Sequence, residues 1–204
     1  MDKTLDFFFD YSSPFAYLAS ERIETIAAKH SREIIWHPIL LGAVFKVTGQ
    51  VPLTQAPLKG EYSMHDFSRS AREYGITYHH PEPFPVASVA ACRATLWLRD
   101  NKDAALRKRT TDFVHAIFKA FYTQHRDITN LDTLSEIAAG LDLDVTEMSM
   151  ALGEQSIKDA LRKEVDDAIA LGIFGSPTMI VDGEAFWGQD RINQLDRWLS
   201  SGGW

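Results

Sequence analysis

The sequence predicts an α/β fold in which a small mixed sheet, built from the two ends of the chain, is interrupted by a large helical insertion. Three observations carry this expectation. The first 45 residues read as strand, helix, strand. The stretch from Thr178 onward reads as strand, strand, helix. Residues 46–164 between them are dominated by helical spacing of apolar positions.

Leu5 to Phe9 (LDFFF) is a short aromatic-rich apolar run, the pattern of a buried strand. Asp10-Tyr11-Ser12-Ser13-Pro14 comes next. Phe15, Leu18, Ala19, Ile23, Ile26 and Ala27 then recur at helical spacing. Ser13 suits the N-cap of that helix and Pro14 its first position, where a missing N–H costs nothing. Lys29 and His30 close it, where cations complement the helix dipole. Ile34 to Leu41 (IIWHPILL) is a second strand candidate that Pro38 ends or demotes. Helices are expected over about 62–74, 86–99, 104–124, 131–139 and 156–171, with a stiff, proline-rich connector at 75–85. Thr178 to Val181 is a β-branched run. Asp182-Gly183 is a hairpin turn, Ala185-Phe186-Trp187 its return strand, and Gly188-Gln189-Asp190 opens a last helix. This is the layout of a thioredoxin-type core, residues 1–45 and 165–204, split by a helical insertion at 46–164.

Composition narrows the function. The chain has 204 residues, a net charge of −7 and 45% hydrophobic residues, a balance that a disordered chain does not have. An acidic balance without a basic run argues against nucleic-acid binding, which rests on phosphate neutralisation. No apolar stretch approaches a bilayer-spanning length, and the N-terminus lacks a signal-peptide pattern, so a cytoplasmic protein without a membrane partner is expected. Cys92 is the single cysteine, which leaves neither an internal disulfide, nor a CxxC redox pair, nor a cysteine-based zinc site. Cys92 lies among alanines at helical spacing and reads as a small core residue.

Three segments could carry chemistry. Ser13-Pro14 lies in the strand-to-helix turn, where helix N–H groups and the dipole favour an anion and lower a thiol pKa. Redox proteins of this layout place cysteines where this chain has Ser13 and Ala16, so no disulfide can form there. Ser13 can still donate a hydrogen bond to a thiolate brought by a ligand; as a plain N-cap it would do nothing more. Gly172 to Thr178 (GIFGSPT) places Ser176-Pro177 opposite that turn, where a cis bond would free backbone for an extended peptide. An ordinary turn proline would look the same in sequence. At Phe186 to Arg191 (FWGQDR), helix-start N–H groups could hold a carboxylate, Asp190 an ammonium and Arg191 an acid. Simple capping by Asp190 is the alternative. His79-His80 has no partner at metal-ligand spacing, and no metal is expected. His115 and His125 read as polar-face or capping residues, and Glu164, Asp166 and Asp167 as a solvated helix face. No serine stands in a GxSxG elbow.

Together FFFDYSSPFAYLA, PILLGAVF, Lys59-Gly60-Glu61-Tyr62, GIFGSPT and VDGEAFWGQDR resemble the 2-hydroxychromene-2-carboxylate isomerases. These are relatives of the kappa-class glutathione transferases within the DsbA-like thioredoxin superfamily. The resemblance runs over essentially the whole chain. It implies glutathione as cofactor, a small aromatic carboxylate as substrate and a homodimer. It makes Ser13 the catalytic serine that supports the glutathione thiolate. It implies that Ser176, before Pro177, pairs by backbone with the cysteinyl part, and that Gln189 and Asp190 meet the γ-glutamyl part beside Arg191. It places Lys59 near acid groups of glutathione or substrate. Relatives often carry Asn where this chain has Gln50, a longer amide that weakens the inferred glutathione contact. They also often carry Asn where this chain has Ala87, so a polar group is missing near the expected substrate.

The implied reaction interconverts 2-hydroxychromene-2-carboxylate and trans-o-hydroxybenzylidenepyruvate, as in naphthalene-type catabolism. A thiolate suits it, because reversible conjugate addition turns the double bond into a rotatable single bond. Holding the thiolate at neutral pH requires a shift of roughly 2 units, or ~3 kcal/mol, which a helix N-terminus and one hydroxyl bond approach. Phe15, Tyr17, Phe84 and Trp187 are candidate walls of an aryl pocket. A kappa-like glutathione transferase and a non-catalytic glutathione binder are the alternatives at the same site, whereas Ser13 and Ala16 argue against a dithiol oxidoreductase.

Overall fold

The computed structural model describes residues 3–204, so the first two residues of the expected core lie outside the described residues. Strands β1 (Thr4–Phe9), β2 (Glu33–Pro38), β3 (Thr178–Val181) and β4 (Glu184–Trp187) form one sheet in the order β2-β1-β3-β4. β1 runs parallel to β2 through helix α1 (Pro14–Lys29) and antiparallel to β3, and β3 and β4 form a hairpin. Asp182 and Gly183 both take positive φ at its tip, as a two-residue hairpin turn requires. This is the thioredoxin-type arrangement that the two chain ends predict, with a helical insertion between them.

The aromatic run of β1 explains the packing. Leu5, Phe7 and Phe9 point to one face and are fully buried. Phe7 and Phe9 meet Trp36 of β2 edge-on at 5.1 and 5.7 Å. Phe9 also packs on Phe118 of an insertion helix at 5.6 Å. Core and insertion therefore share one hydrophobic interior.

Between β2 and β3 lie α2 (Leu41–Thr48), a short 3-10 turn (Leu53–Gln55), α3 (Lys59–Tyr74), α4 (Val89–Arg99), α5 (Ala104–Arg107), α6 (Thr110–Gln124), α7 (Leu131–Gly140), α8 (Val145–Gly153) and α9 (Gln155–Ala170); a 3-10 turn (Gln189–Arg191) and α10 (Ile192–Ser201) follow β4. Pro38 ends the second strand, one of its two expected effects, and two helix expectations are corrected. The second strand stops at Pro38 and Leu41 opens α2, whose first N–H is claimed by the Asp10 carboxylate. The expected helix over 104–124 is broken into α5 and α6. The helix expected from 86 starts at Val89, because the Val86 N–H and the Ser88 hydroxyl are engaged by Ser12 and Asp10. The sequence pattern also left α8 unmarked; Asp144 caps it through the Glu147 N–H.

A polar cluster sits on the opposite face of the sheet. His37 stacks on Phe8 at 4.4 Å and lies between Asp6 (2.9 Å) and Glu164 of α9 (2.5 Å). Arg99 of α4 bonds both oxygens of Glu164, at 2.7 and 2.8 Å, and the Trp36 carbonyl. Glu164 is therefore a half-buried tie between sheet and insertion rather than part of a solvated face. Burial alone would lower the His37 pKa, but the bonds to Asp6 and Glu164 outweigh it and hold the pKa above its ordinary value. Burial would raise Glu164, but Arg99 and His37 pull it down to about 2.

These shifts make stability depend on pH. The raised His37 contributes stability below pH 6.5 that is lost as pH climbs through its folded pKa. The lowered Glu164 contributes stability above pH 4.5 that is lost as pH falls toward 2. The cluster thus stabilises most between pH 4.5 and 6.5. Glu164→Gln is expected to cost on the order of 2 kcal/mol in that window and to flatten both arms of the Tm-against-pH curve. A variant with the wild-type curve would show that the cluster carries no linkage.

Candidate active site

Ser13 caps α1 as its sequence position predicts. It takes extended φ and ψ (−109°, 109°), and its hydroxyl accepts from the Ala16 N–H at 3.2 Å. Pro14 brings no N–H, and among the described residues nothing accepts from the Phe15 N–H, so the first turn keeps an uncommitted donor. The Ser13 hydroxyl also donates across the site to the Ser176 carbonyl at 3.0 Å. The Ser176-Pro177 bond is cis. The Ser176 hydroxyl accepts from the Asp10 N–H at 2.9 Å. Segments more than 160 residues apart in sequence, 163 for Ser13 and Ser176, are thereby locked together by two hydrogen bonds.

Beneath this turn lies Asp10, whose role sequence reasoning missed. Its carboxylate accepts from the Ser12 N–H at 2.9 Å, the Leu41 N–H at 2.8 Å and the Ser88 hydroxyl at 2.6 Å. Burial pushes the Asp10 pKa up, while those three donors oppose it. One side chain thus ties the turn to the starts of α2 and α4. The Asp-x-Ser spacing of an Asx turn was the available signal; nothing local marks Leu41 or Ser88. Cys92 lies behind Ser88 at 3.5 Å, and burial, with Asp10 adding to it, drives its thiol pKa well up. Such a thiol is inert.

The other expected site residues divide into two groups. Gln189 is buried, and its side-chain oxygen and backbone carbonyl both accept from Arg22 of α1 at 3.3 Å. Asp190 and Arg191 are exposed and paired with each other at 2.9 Å. Gly188 precedes them with φ of 106°, a conformation that disfavours side chains. A Cβ there would also fall 2.5 Å from an Asp190 oxygen. Gln50 and Lys59 are exposed, beyond the end of α2 and at the start of α3; no hydrogen bond joins either to the Ser13 turn.

Aromatics frame the turn on two sides. Trp187 is 53% exposed and lies edge-on to Phe174 at 4.8 Å. Its indole rests on Gly175, where any Cβ would come within 2.4 Å. Phe15 and Phe84 are half-buried on the insertion side, and Ala87 is exposed close by. Tyr17 is no wall: it is buried, with its hydroxyl bonded to the Thr77 carbonyl at 2.7 Å. A cleft of about 490 Å³ opens elsewhere, between α1, β2 and the α5–α6 region, and includes none of the turn residues. The chemistry argues for the turn, because that is where donors converge. Among the described residues no helix is long and apolar enough to cross a membrane, and no cluster of His, Cys, Asp or Glu has the make-up of a metal site.

Comparison with known proteins agrees on architecture. Residues 4–200 match the family model of the DSBA-like thioredoxin domain. A 2-hydroxychromene-2-carboxylate isomerase of Sphingobium xenophagum is 30% identical, over 98% of this chain and 99% of its own length. The glutathione S-transferase kappa 2 of Caenorhabditis elegans is 28% identical, over 97% and 92%. A solved 2-hydroxychromene-2-carboxylate isomerase superimposes with a TM-score of 0.85 at 25% identity, over 97% of this chain and 95% of its own.

Proposed function

The chain belongs to the DSBA-like thioredoxin domain family, and from that premise we propose that it is a glutathione-dependent isomerase. Its reaction interconverts 2-hydroxychromene-2-carboxylate and trans-o-hydroxybenzylidenepyruvate. The observation that carries the reading is the Ser13 hydroxyl at a helix N-terminus, bonded to the carbonyl before a cis-proline. That pairing sets a hydroxyl donor beside the Ser176 peptide edge, whose carbonyl it holds until a ligand takes over, and the chain's single thiol, on Cys92, is buried.

Glutathione fits the residues present. The Ser176 carbonyl and N–H offer a peptide edge to the cysteinyl unit. The Gln189 and Asp190 N–H groups at the start of the last 3-10 turn would hold a γ-glutamyl carboxylate, and Lys59 and Arg191 would supply cations for acid groups. When bound, glutathione supplies a thiolate that adds reversibly to the conjugated double bond.

The protein's own part is electrostatic. Once a ligand N–H takes the Ser176 carbonyl, the Ser13 hydroxyl is free to turn toward the sulfur. Hydroxyl, Phe15 N–H and the α1 dipole then hold negative charge at one point. The cap bond from Ala16 keeps the serine oxygen in place while its proton is redirected. The reading also carries a cytoplasmic location and the homodimer that the resemblance implies.

A rate of 2-hydroxychromene-2-carboxylate isomerisation that appears only with glutathione is the expected result, monitored by absorbance. Absence of a rate in both conditions overturns the reading. The second reading, a kappa-like transferase, rests on the 28% identical relative and would instead consume glutathione with a halo-aromatic acceptor.

A further inference from the structure

We infer that His80, held by Tyr78, is the substrate-side hydrogen-bond donor of an aromatic recess beside Ser13, and that this recess receives the aryl ring of an ortho-oxygenated aryl keto acid. The inference rests on the isomerase reading above.

The recess is built by the connector at 75–85. The His80 ring has Phe84 edge-on at 4.7 Å and lies parallel to Phe67 of α3, centroids 6.4 Å apart. Phe67 is buried and packs on Phe15 at 4.8 Å. Phe15 is in the first turn of α1, two residues after Ser13. The other end of the connector returns to the same turn, because Val86 N–H donates to the Ser12 hydroxyl at 3.0 Å. Phe15, His80 and Phe84 are each half-buried over the buried Phe67, so this aromatic cluster meets solvent on one side.

The chemistry of His80 is fixed by its neighbour. The Tyr78 oxygen lies 2.7 Å from Nδ1. A phenol is the better donor and an imidazole nitrogen the better acceptor, so Tyr78 donates and the ring proton resides on Nε2. Burial raises the Tyr78 pKa, which keeps that donor protonated. Burial also lowers the His80 pKa, with Glu82 opposing, so the ring is neutral at neutral pH. Among the described residues Nε2–H has no partner, and it is reachable by solvent. A neutral donor of this kind suits a keto oxygen on which negative charge gathers as the conjugated bond is attacked.

A mere loop staple would also use the Tyr78–His80 bond, so the test separates binding, turnover and folding. Wild type, His80→Phe, His80→Gln and Tyr78→Phe are compared by isomerase kinetics, glutathione titration, calorimetric binding of 2-hydroxycinnamate to the glutathione-loaded protein, and Tm. For His80→Phe we expect kcat to fall on the order of 100-fold and 2-hydroxycinnamate affinity about tenfold, with glutathione affinity unchanged. His80→Gln should regain part of both losses. Tyr78→Phe should lose less than His80→Phe, since only the tautomer is released. If His80→Phe fails to fold, His80→Gln and Tyr78→Phe carry the test by the same readouts.

An active wild type and a His80→Phe with unchanged kcat and affinity overturn the inference and leave the isomerase reading standing. An inactive wild type whose 2-hydroxycinnamate binding still depends on His80 overturns the isomerase reading and supports the recess. Loss of both overturns both.

Discussion

Ser13→Ala is expected to lower isomerase turnover 100- to 1,000-fold, on the order of 3–4 kcal/mol of transition-state stabilisation. The native hydroxyl has two uses. It accepts the Ala16 N–H as a cap, and it donates to the Ser176 carbonyl, the donation that a bound thiolate would take over. Removing the oxygen forfeits both. The cap alone is worth about 1 kcal/mol of folding stability, too little to explain so large a loss of rate. Ser13→Gly separates the two uses. Glycine caps within a few tenths of a kcal/mol of serine and carries no hydroxyl. It should therefore unfold closer to wild type than Ser13→Ala does, both lacking the bond to Ser176, yet turn over as poorly. The pKa of bound glutathione, read from thiolate absorbance against pH, should rise in both variants. A Ser13→Gly protein with wild-type turnover would reduce Ser13 to a cap and remove the mechanism.

Distance along the chain decides which features are legible in the sequence. The Ser13-Pro14 cap, the Asp182-Gly183 turn and the α1 stripe are set by neighbours within a few residues, and local chemistry suffices for them. The union of Ser13 with Ser176 depends on parallel β1–β2 and antiparallel β1–β3 pairing, which only the β-α-β and β-β-α layout implies. Other features were hidden because one partner decides what the other does. Glu164 looks like one charge in an acidic helix, but Leu161, Val165 and Ala168 place the core on its side of α9. Its partner Arg99 stands 65 residues earlier. Leu41 reads as the tail of a strand until Asp10, 31 residues before it, claims its N–H for a helix start. The same holds for Tyr78 and His80, whose spacing says nothing until Phe67 and Phe84 close around them.

Asp10→Ala is expected to cost the largest share of stability of any single change near the turn, on the order of 3–5 kcal/mol. The substitution strands three donors at once: the Ser12 N–H, the Leu41 N–H and the Ser88 hydroxyl. Asp10 and Ser88 are buried, so water does not replace the lost acceptor without rearrangement. The damage reaches three places, because these donors begin the turn, α2 and α4. Asp10→Asn should cost less, since its one carbonyl oxygen still accepts while its amide opposes a remaining donor. Charge adds a second distinction. Burial raises the Asp10 pKa, so its share of stability is full below pH 3.8 and lost as pH rises through the folded value. Wherever the native group ionises it bears that loss, and Asp10→Asn, which has no charge to bury, escapes it. That relief offsets only part of the missing acceptor, so the order in urea midpoint at neutral pH is wild type, Asp10→Asn, Asp10→Ala, at constant m. Amide exchange should accelerate first at Leu41 and Ser12 in both variants. Equal midpoints for Asp10→Asn and Asp10→Ala would mean that the surviving oxygen contributes no net acceptance.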